Sequence, residues 1–238
     1  MTGLLAFATG GRPLTSGIMQ KALHMATREV DRSQLEIVGV RWQNDTAVRT
    51  PFRVICEPNC HAGRAYNLAL RHFTLRHGEL PEFFFTMDDD ALVGTQTLDR
   101  MRAILDADHR IGLLGAWNDM SERGRGLVEV VQHRLGEDMV QTDRGGAPFC
   151  VGGALHAIPR RALERMAAEV IPAGAPVKPG DVYLEEVRRE DEALGRRIAH
   201  LGMTTAIALT VPVGLLPDDG VDPEYRTRIN ALTVGTYL

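Results

Sequence analysis

The feature that most constrains the fold is a regular alternation of short apolar runs with longer amphipathic segments over the first half of the chain. Runs typical of strands lie at 3–9, 35–42, 52–57, 83–87 and 111–117. Segments typical of helices lie between them at about 16–30, 63–77 and 96–107. This order is that of repeated βαβ units. It predicts an α/β fold with a mostly parallel sheet flanked by helices on both faces.

Beyond about residue 118 the alternation loosens. The sequence predicts a loop at 118–126, a strand within 127–135, a Pro/Gly-rich connection at 171–181 and then a charged helix. We expect a single domain over 1–238, made of a regular half at about 1–117 and a smaller mixed half at about 118–238.

Composition excludes several classes of protein. The 238 residues are 44% hydrophobic and 24% charged, with a formal net charge of -4 and no basic stripe, so a nucleic-acid partner is not expected. No apolar run approaches the roughly 18 residues of a membrane span, and the start lacks a cationic leader, which favours a cytoplasmic protein without a membrane span. The cysteines fit neither a disulfide framework nor a zinc pattern, and we expect them to be reduced: Cys56, Cys60 and Cys150.

Three consecutive acids, Asp88, Asp89 and Asp90, follow the apolar run that starts at Phe83. Adjacent carboxylates repel one another unless a cation, hydrogen-bond donors or open water stabilises them. In open α/β sheets ligands bind beyond the carboxyl ends of the strands, where these acids are expected to lie. The alternative is that they cap a helix starting near Thr95, although three acids exceed what capping requires.

Five stretches, in one order along the chain, have counterparts in a known enzyme family. They are TGGRP (Thr9 to Pro13), NCHAGRAYN (Asn59 to Asn67), the triplet Asp88 to Asp90, FCVGGALHAIPRRAL (Phe149 to Leu163) and EDEALGRRIAHLG (Glu190 to Gly202). Together they resemble the family 2 glycosyltransferases with the GT-A fold, and in particular the rhamnosyl- and galactofuranosyl-transferase-like members. The resemblance extends from Leu4 to about Leu209. It implies a nucleotide-sugar-binding first half and an acceptor-side second half.

The resemblance implies sugar transfer from a UDP-, GDP- or dTDP-linked donor to a small-molecule, lipid or glycan acceptor, with inversion at the anomeric carbon. The expected donor-binding residues are Thr9, Gly10, Arg12, Asn44, Asp45, Gly63, Arg64, Asn67, Asp88 and Asp89. The expected acceptor-binding residues are Trp117, Gly152 and Gly153. Asp88 and Asp90 are the expected ligands of Mn²⁺ or Mg²⁺, cations that prefer hard oxygen ligands. Asp191 is the expected catalytic base, with Glu190 as the neighbouring alternative.

Several of these residues also have a purely structural interpretation. Arg12 and Arg64 suit phosphate oxygens through their planar donors but are equally typical of a surface. Asn67 either fixes the donor loop or is a hydrogen-bonded polar group at a helix interface. Trp117 offers an apolar face to a sugar ring but also suits a core. The helix that carries Asp191 has the i,i+4 charge pairs of a solvated helix.

The sequence departs from the family pattern in two places. The second strand ends in VRWQNDT rather than in an acid followed by small polar residues, and no late His resembles a third metal ligand. Three other classes of protein are alternatives to the transferase. A phosphohydrolase of the haloacid-dehalogenase kind usually has Thr or Val where Leu92 stands; a nucleotidyltransferase has a longer Gly-rich basic loop than TGGRP; and a non-catalytic sugar-nucleotide-binding module would lack the base.

Overall fold

A computed structural model gives the fold of the chain. It describes residues 3–9, 23–24, 27, 33–41, 52–57, 61–89, 91–93, 96–118, 131–134, 139–144, 147–148, 154–170, 180–183 and 190–215. Within several elements only the backbone is described, and this applies to Thr9, Trp117 and Glu190.

One mixed sheet forms the centre of the molecule. Its strands are β1 (Gly3–Thr9), β2 (Leu35–Arg41), β3 (Arg53–Cys56), β4 (Phe83–Asp88), β5 (Ala91–Val93), β6 (Ile111–Asn118), β7 (Val131–Arg134), β8 (Met139–Arg144), β9 (Ala147–Pro148), β10 (Leu155–Pro159) and β11 (Thr204–Leu215). The order across the described part of the sheet is β3-β2-β1-β4-β10-β6-β11-β8-β7, with β5 beside β11 and β9 beside β8.

Four helices lie within the described residues. They are α1 (Ala62–His77), α2 (Thr97–Ala107), α3 (Arg160–Ala167) and α4 (Glu190–His200). Leu23, His24 and Thr27 are also helical, within the segment predicted at 16–30. Helix α1 ends at Gly78, whose φ of 73° closes the helix with a hydrogen bond from its N–H to the Thr74 carbonyl at 2.8 Å.

The regular half has the predicted parallel arrangement. Strand β1 pairs in parallel with β2 and with β4, and β2 pairs in parallel with β3. The carboxyl ends of these strands therefore share one edge of the sheet, which we call the carboxyl edge. The predicted α/β fold with a parallel nucleotide-type sheet and a smaller mixed portion is confirmed.

The second half of the sheet contains an insertion that the sequence pattern did not predict. Strand β10 lies between β4 and β6 and is antiparallel to both. Because two antiparallel pairings restore direction, β4 and β6 run in parallel, and β11 continues in parallel beside β6. Strand β10 thus joins the regular half to the mixed half in one sheet.

Helices cover both faces of the sheet. Successive strand residues point to opposite faces, so they contribute in turn to two apolar layers. One layer joins strand residues to α2 and to the helical segment at Leu23: Leu5, Phe7, Phe85, Met87, Leu98, Met101 and Leu105. The other joins the alternate strand residues to α1, α3 and α4: Leu4, Ala6, Phe84, Leu70, Phe73, Leu163, Leu194 and Ile198. In the described residues, no helix is long and apolar enough to cross a membrane.

Candidate functional site

The acid triplet lies at the carboxyl edge. Asp88 is the last residue of β4 and pairs with Ala8 of β1, one residue before Thr9. Asp88 and Asp89 are partly exposed, whereas all of β4 before them is buried. The acids do not cap α2, because β5 intervenes and Gln96 occupies the N-cap position of that helix. The helix-capping alternative for the triplet is therefore wrong for Asp88 and Asp89.

The predicted acceptor residue Trp117, and Ala154, lie close to this edge at the level of the backbone. The backbone N–H of Asp88 donates to the Ala154 carbonyl at 3.1 Å, and Ala154 directly follows Gly152 and Gly153 in the chain. In β6, Gly115 pairs with His156, which in turn pairs with Thr86 of β4. Trp117 lies two residues after Gly115, and Asp88 lies two residues after Thr86. The two residues are therefore level with each other across the sheet, two strand spacings or about 10 Å apart.

One side chain of α1 reaches the first acid directly. The Tyr66 hydroxyl donates a hydrogen bond to Oδ1 of Asp88, with 3.2 Å between the oxygens. Tyr66 is buried, with 4% of its surface exposed. The bond therefore connects a buried phenol to a partly exposed carboxylate at the end of β4.

A second tyrosine lies beneath the first. The Tyr183 ring packs on the Tyr66 ring with 5.2 Å between centroids. Its hydroxyl lies 2.8 Å from the Thr86 hydroxyl and 3.1 Å from Nδ1 of His156. Thr86 and His156 are paired across β4 and β10, so Tyr183 spans these two strands, of which β4 ends at Asp88 and β10 starts directly after Ala154.

Tyr183 belongs to a short segment, 180–183, whose last three residues are buried and which several elements fix in place. Asn67 of α1 accepts hydrogen bonds through Oδ1 from the backbone N–H groups of Val182 and Tyr183, both at 3.0 Å. Arg71, one turn further along α1, donates from Nε to the buried Asp181 carboxylate at 2.9 Å. Arg197 of α4 donates to the carbonyls of Asp181 and Val182. We call this segment the anchor, and it links α1 to α4.

The first turn of α1 also lies at the carboxyl edge, because the helix starts shortly after β3 ends. Gly63 is buried in this turn, and Arg64 is partly exposed beside it. The Arg64 Nη2 donates to Oε1 of Glu57 at 2.6 Å. The helix N-terminus places partial positive charge at this edge, and the Arg64 guanidinium is paired there with Glu57.

Helix α4 presents Asp191 on its inward side. Leu194 and Ile198 are buried, and Asp191 precedes them by three and seven residues, so the three share one helical stripe. Asp191 itself is partly exposed, whereas Arg196 and His200 are exposed on other faces. Asp191 thus lies at the rim of the core rather than on the solvated face.

The acids suit a divalent cation that is bound together with a ligand. Asp88 and Asp89 offer hard, partly exposed oxygen atoms, which are the ligands that Mn²⁺ and Mg²⁺ prefer. Among the described residues no three His, Cys, Asp or Glu side chains converge on one point. Two carboxylates alone would not complete the coordination of such a cation. The other predicted metal ligand, Asp90, lies outside the described residues.

Other predicted residues also lie outside the described part of the chain. These are Gly10, Arg12, Asn44, Asp45, Gly152, Gly153 and the cysteines Cys60 and Cys150. Cys56 is a free thiol. The binding roles predicted for the site residues outside the described part stay predictions. Of the predicted residues that are described, the structure brings Asp88, Asp89, Gly63 and Arg64 to one edge, whereas Asn67 lies deeper and binds the anchor.

Sequence reasoning missed Tyr66, Asp181 and Tyr183. Tyr66 stands within the quoted Asn59 to Asn67 stretch, where its apolar surroundings fit an ordinary core position. Asp181 and Tyr183 follow the Pro/Gly-rich connection, and Asn67 is 116 residues away from Tyr183 in the sequence. Only Gly180, with a φ of 82°, gives a local sign of the turn that starts the anchor.

The fold matches that of solved glycosyltransferases. GalNAc-T7 in a complex with UDP, GalNAc and Mn²⁺ aligns over 93% of this chain at 11% identity and a TM-score of 0.60. The mannosyltransferase PcManGT from Pyrobaculum calidifontis, in a complex with GDP-Man and Mn²⁺, aligns over 95% at 20% identity and a TM-score of 0.61. S. aureus TarS 1-349 aligns over 98% at 14% identity and a TM-score of 0.54.

This chain has the GT-A fold, as those alignments show. It spans 45% of the GalNAc-T7 chain, 60% of the PcManGT chain and 64% of the TarS chain. No protein-family model matches the sequence, and no curated protein matches it.

Proposed function

We propose that this chain is an inverting glycosyltransferase that moves a sugar from a nucleotide-diphosphate donor to an acceptor hydroxyl with the help of Mn²⁺ or Mg²⁺. The observation that carries the proposal is the position of Asp88 and Asp89 at the carboxyl edge of a GT-A fold, beside the end of β1. Solved structures with this fold contain UDP with Mn²⁺, GDP-Man with Mn²⁺, and UDP-GlcNAc. Each of these ligands carries the phosphate charge that such a site must accommodate.

The donor would lie across the carboxyl edge. Asp88 and Asp90 would hold the cation, which supplies Lewis-acid stabilisation to a departing diphosphate when it is bound. Asp89 would face the nucleotide. The N-terminus of α1 at Gly63 and the guanidinium of Arg64 would favour the diphosphate charge, since backbone N–H groups and the helix dipole attract anions there. For this role Arg64 would exchange its contact with Glu57 for a phosphate oxygen.

The acceptor would approach from the side of Trp117 and the Gly152–Gly153 stretch. Asp191 would take the proton from the acceptor hydroxyl as that oxygen attacks the anomeric carbon, while the bond from this carbon to the diphosphate breaks on the opposite face. This single displacement inverts the anomeric configuration. The position of Asp191 on the inward stripe of α4 supports this role, and Glu190 is the alternative.

The finer assignment, to enzymes like the family 2 rhamnosyl- and galactofuranosyl-transferases, rests on the Asn59 to Asn67 stretch and on the order of the five stretches. The anchor gives Asn67 a structural role within that stretch. Its amide binds the backbone of the anchor, and the anchor in turn holds α4, which carries Asp191.

A donor screen tests the function. The melting temperature is measured with UDP-, GDP- and dTDP-sugars, each with and without Mn²⁺, and release of nucleoside diphosphate is followed in parallel. We expect one nucleotide class with Mn²⁺ to raise Tm by about 5–10 °C at 100 times its Kd. Absence of any shift would overturn the proposal. Binding without release, with an acceptor library present, would indicate the non-catalytic sugar-nucleotide-binding module.

A further inference from the structure

The Asp88 carboxylate accepts a hydrogen bond from a neighbouring element. The donor is the hydroxyl of Tyr66, 3.2 Å from Oδ1. A partly exposed aspartate at a strand end is free to rotate about both of its side-chain torsions unless a partner holds it. A donor on a buried ring supplies such a partner at little entropic cost, because the ring is already fixed by packing.

The ring of Tyr66 is held from below. The Tyr183 ring lies 5.2 Å from it, tilted by 47°, and the Tyr183 hydroxyl bonds to Thr86 and His156. Thr86 and Asp88 are two residues apart in β4, so their side chains point to the same face of the sheet. The two tyrosine rings therefore pack one behind the other along β4. The Tyr183 hydroxyl lies beside Thr86, and the Tyr66 hydroxyl lies beside Asp88.

The two phenols differ in what their hydroxyls contact. The hydroxyl of Tyr66 reaches a carboxylate that the proposed function uses, whereas the hydroxyl of Tyr183 reaches Thr86 and His156, which are both buried. The Tyr66 hydroxyl thus contacts a residue of the proposed site, whereas the Tyr183 hydroxyl contacts buried residues behind that site. This difference provides a matched pair for an experiment.

We propose that Tyr66 is a positioning residue, whose hydroxyl fixes the orientation in which the Asp88 carboxylate meets a divalent cation bound with a nucleoside diphosphate. The inference rests on the proposed function and deepens it. Partners that orient a ligating side chain typically change metal affinity by about 10- to 100-fold when they are lost. We therefore expect the loss of this hydroxyl to weaken cation binding and to leave the fold intact.

The test compares Tyr66→Phe with Tyr183→Phe, since each removes one hydroxyl and keeps its ring. The Tm of each protein is measured as Mn²⁺ is added at saturating UDP, GDP or dTDP, and the Mn²⁺ concentration that gives half of the shift is recorded. For Tyr66→Phe we expect this concentration to rise about 10-fold or more, with the metal-free Tm close to wild type. For Tyr183→Phe we expect a lower metal-free Tm and a half-shift concentration within about twofold of wild type.

A kinetic arm adds a second readout. In Tyr66→Phe the apparent KM for Mn²⁺ should rise by the same factor, and kcat at saturating Mn²⁺ should recover most of the wild-type value. Equal half-shift concentrations in Tyr66→Phe and wild type would overturn the inference and leave the proposed function standing. Equal weakening in both variants would overturn it too, because general loosening would then explain the effect. No Mn²⁺-dependent shift in wild type with any of the nucleotides would overturn both proposals.

Discussion

Asn67 and Tyr183 are joined by a pair of opposed hydrogen bonds. The Asn67 amide nitrogen donates to the Tyr183 carbonyl at 2.8 Å, and its oxygen accepts from the Tyr183 N–H at 3.0 Å. Asn67 is fully buried. One amide side chain of α1 therefore bonds to both backbone groups of a buried residue, as a neighbouring strand would do.

We first predict that Asn67→Ala lowers the free energy of unfolding by about 2–4 kcal/mol, because it removes three buried hydrogen bonds to the backbone of Val182 and Tyr183. Chemical denaturation measures this. Thr74→Ala in the same helix is the control, since its hydroxyl bonds only to the Leu70 carbonyl of its own helix. A stable Asn67→Ala protein that had lost nucleotide binding would instead favour the donor-loop role predicted from the sequence.

Some elements of the fold could be predicted from the sequence and others could not. Local periodicity was sufficient to predict β1, β2, β4, α1 and α2 to within a residue or two, because each has a continuous apolar pattern of its own. The antiparallel insertion of β10 was not predictable in this way, since the direction of a strand depends on partners distant in the chain rather than on its own residues.

The same distinction applies to the residues of the candidate site. The acid triplet could be predicted as a candidate site because adjacent carboxylates repel one another and need a stabilising partner. Tyr66 and Tyr183 could not be singled out, because a buried tyrosine has the same local pattern whether its hydroxyl binds a carboxylate at the end of a strand, as Tyr66 does, or a buried threonine, as Tyr183 does.

A second prediction concerns Arg161 of α3, which closes the end of α2. Its guanidinium donates to the carbonyls of Leu105, Asp108, His109 and Ile111 at 2.9–3.2 Å. Burial lowers the pKa of this guanidinium, and the nearby acids only partly oppose that effect. The last carbonyls of a helix lack intrahelical partners, so Arg161→Met should destabilise the protein by about 1–3 kcal/mol in urea unfolding.

The control for Arg161 lies on the same helix. Arg165 is exposed and donates to a single carbonyl, that of Leu201, at 2.8 Å. Arg165→Met should therefore cost clearly less than Arg161→Met. Equal losses in the two variants would show that the multiple capping bonds of Arg161 add nothing beyond one surface contact.

The third prediction is a pH dependence of stability at Glu36. Burial raises the pKa of this carboxyl, but the hydrogen bond with His77 at 2.6 Å and the positive charges of Arg76 and His77 outweigh burial and leave the pKa below its ordinary value of 4.5. A lowered pKa in the folded state gives stability that is present above about pH 4.5 and is lost as pH falls through the folded pKa.

Glu36→Gln should consequently lower Tm at pH 6, and the difference from wild type should shrink steadily below about pH 4.5. Thermal unfolding of both proteins from pH 3 to pH 7 measures it. A Tm difference that is constant over this range would mean that the ionised carboxylate contributes nothing and that only the shape of the side chain matters.

The fourth prediction addresses the metal. If the acid triplet holds a cation with the nucleotide, Asp90→Ala should abolish the Mn²⁺-dependent part of the thermal shift at saturating nucleotide and leave the metal-free Tm nearly unchanged. Asp99→Ala is the control, because Asp99 is an exposed acid in the first turn of α2. A Mn²⁺-dependent shift of the same size in Asp90→Ala would remove this residue from the metal site.

The last prediction concerns the base. If Asp191 deprotonates the acceptor, Asp191→Asn keeps the size of the side chain but removes its proton-accepting charge, so transfer should fall by about 10²- to 10⁴-fold while nucleotide binding changes little. Glu190→Gln is the matched control, since neighbouring helical residues point about 100° apart and cannot reach one hydroxyl in the same way. Product formation is measured with the donor that the screen selects. A larger loss in Glu190→Gln would move the base to Glu190, and two variants with near-wild-type rates would exclude α4 from proton transfer, leaving its contacts through Arg197 with the anchor as its role.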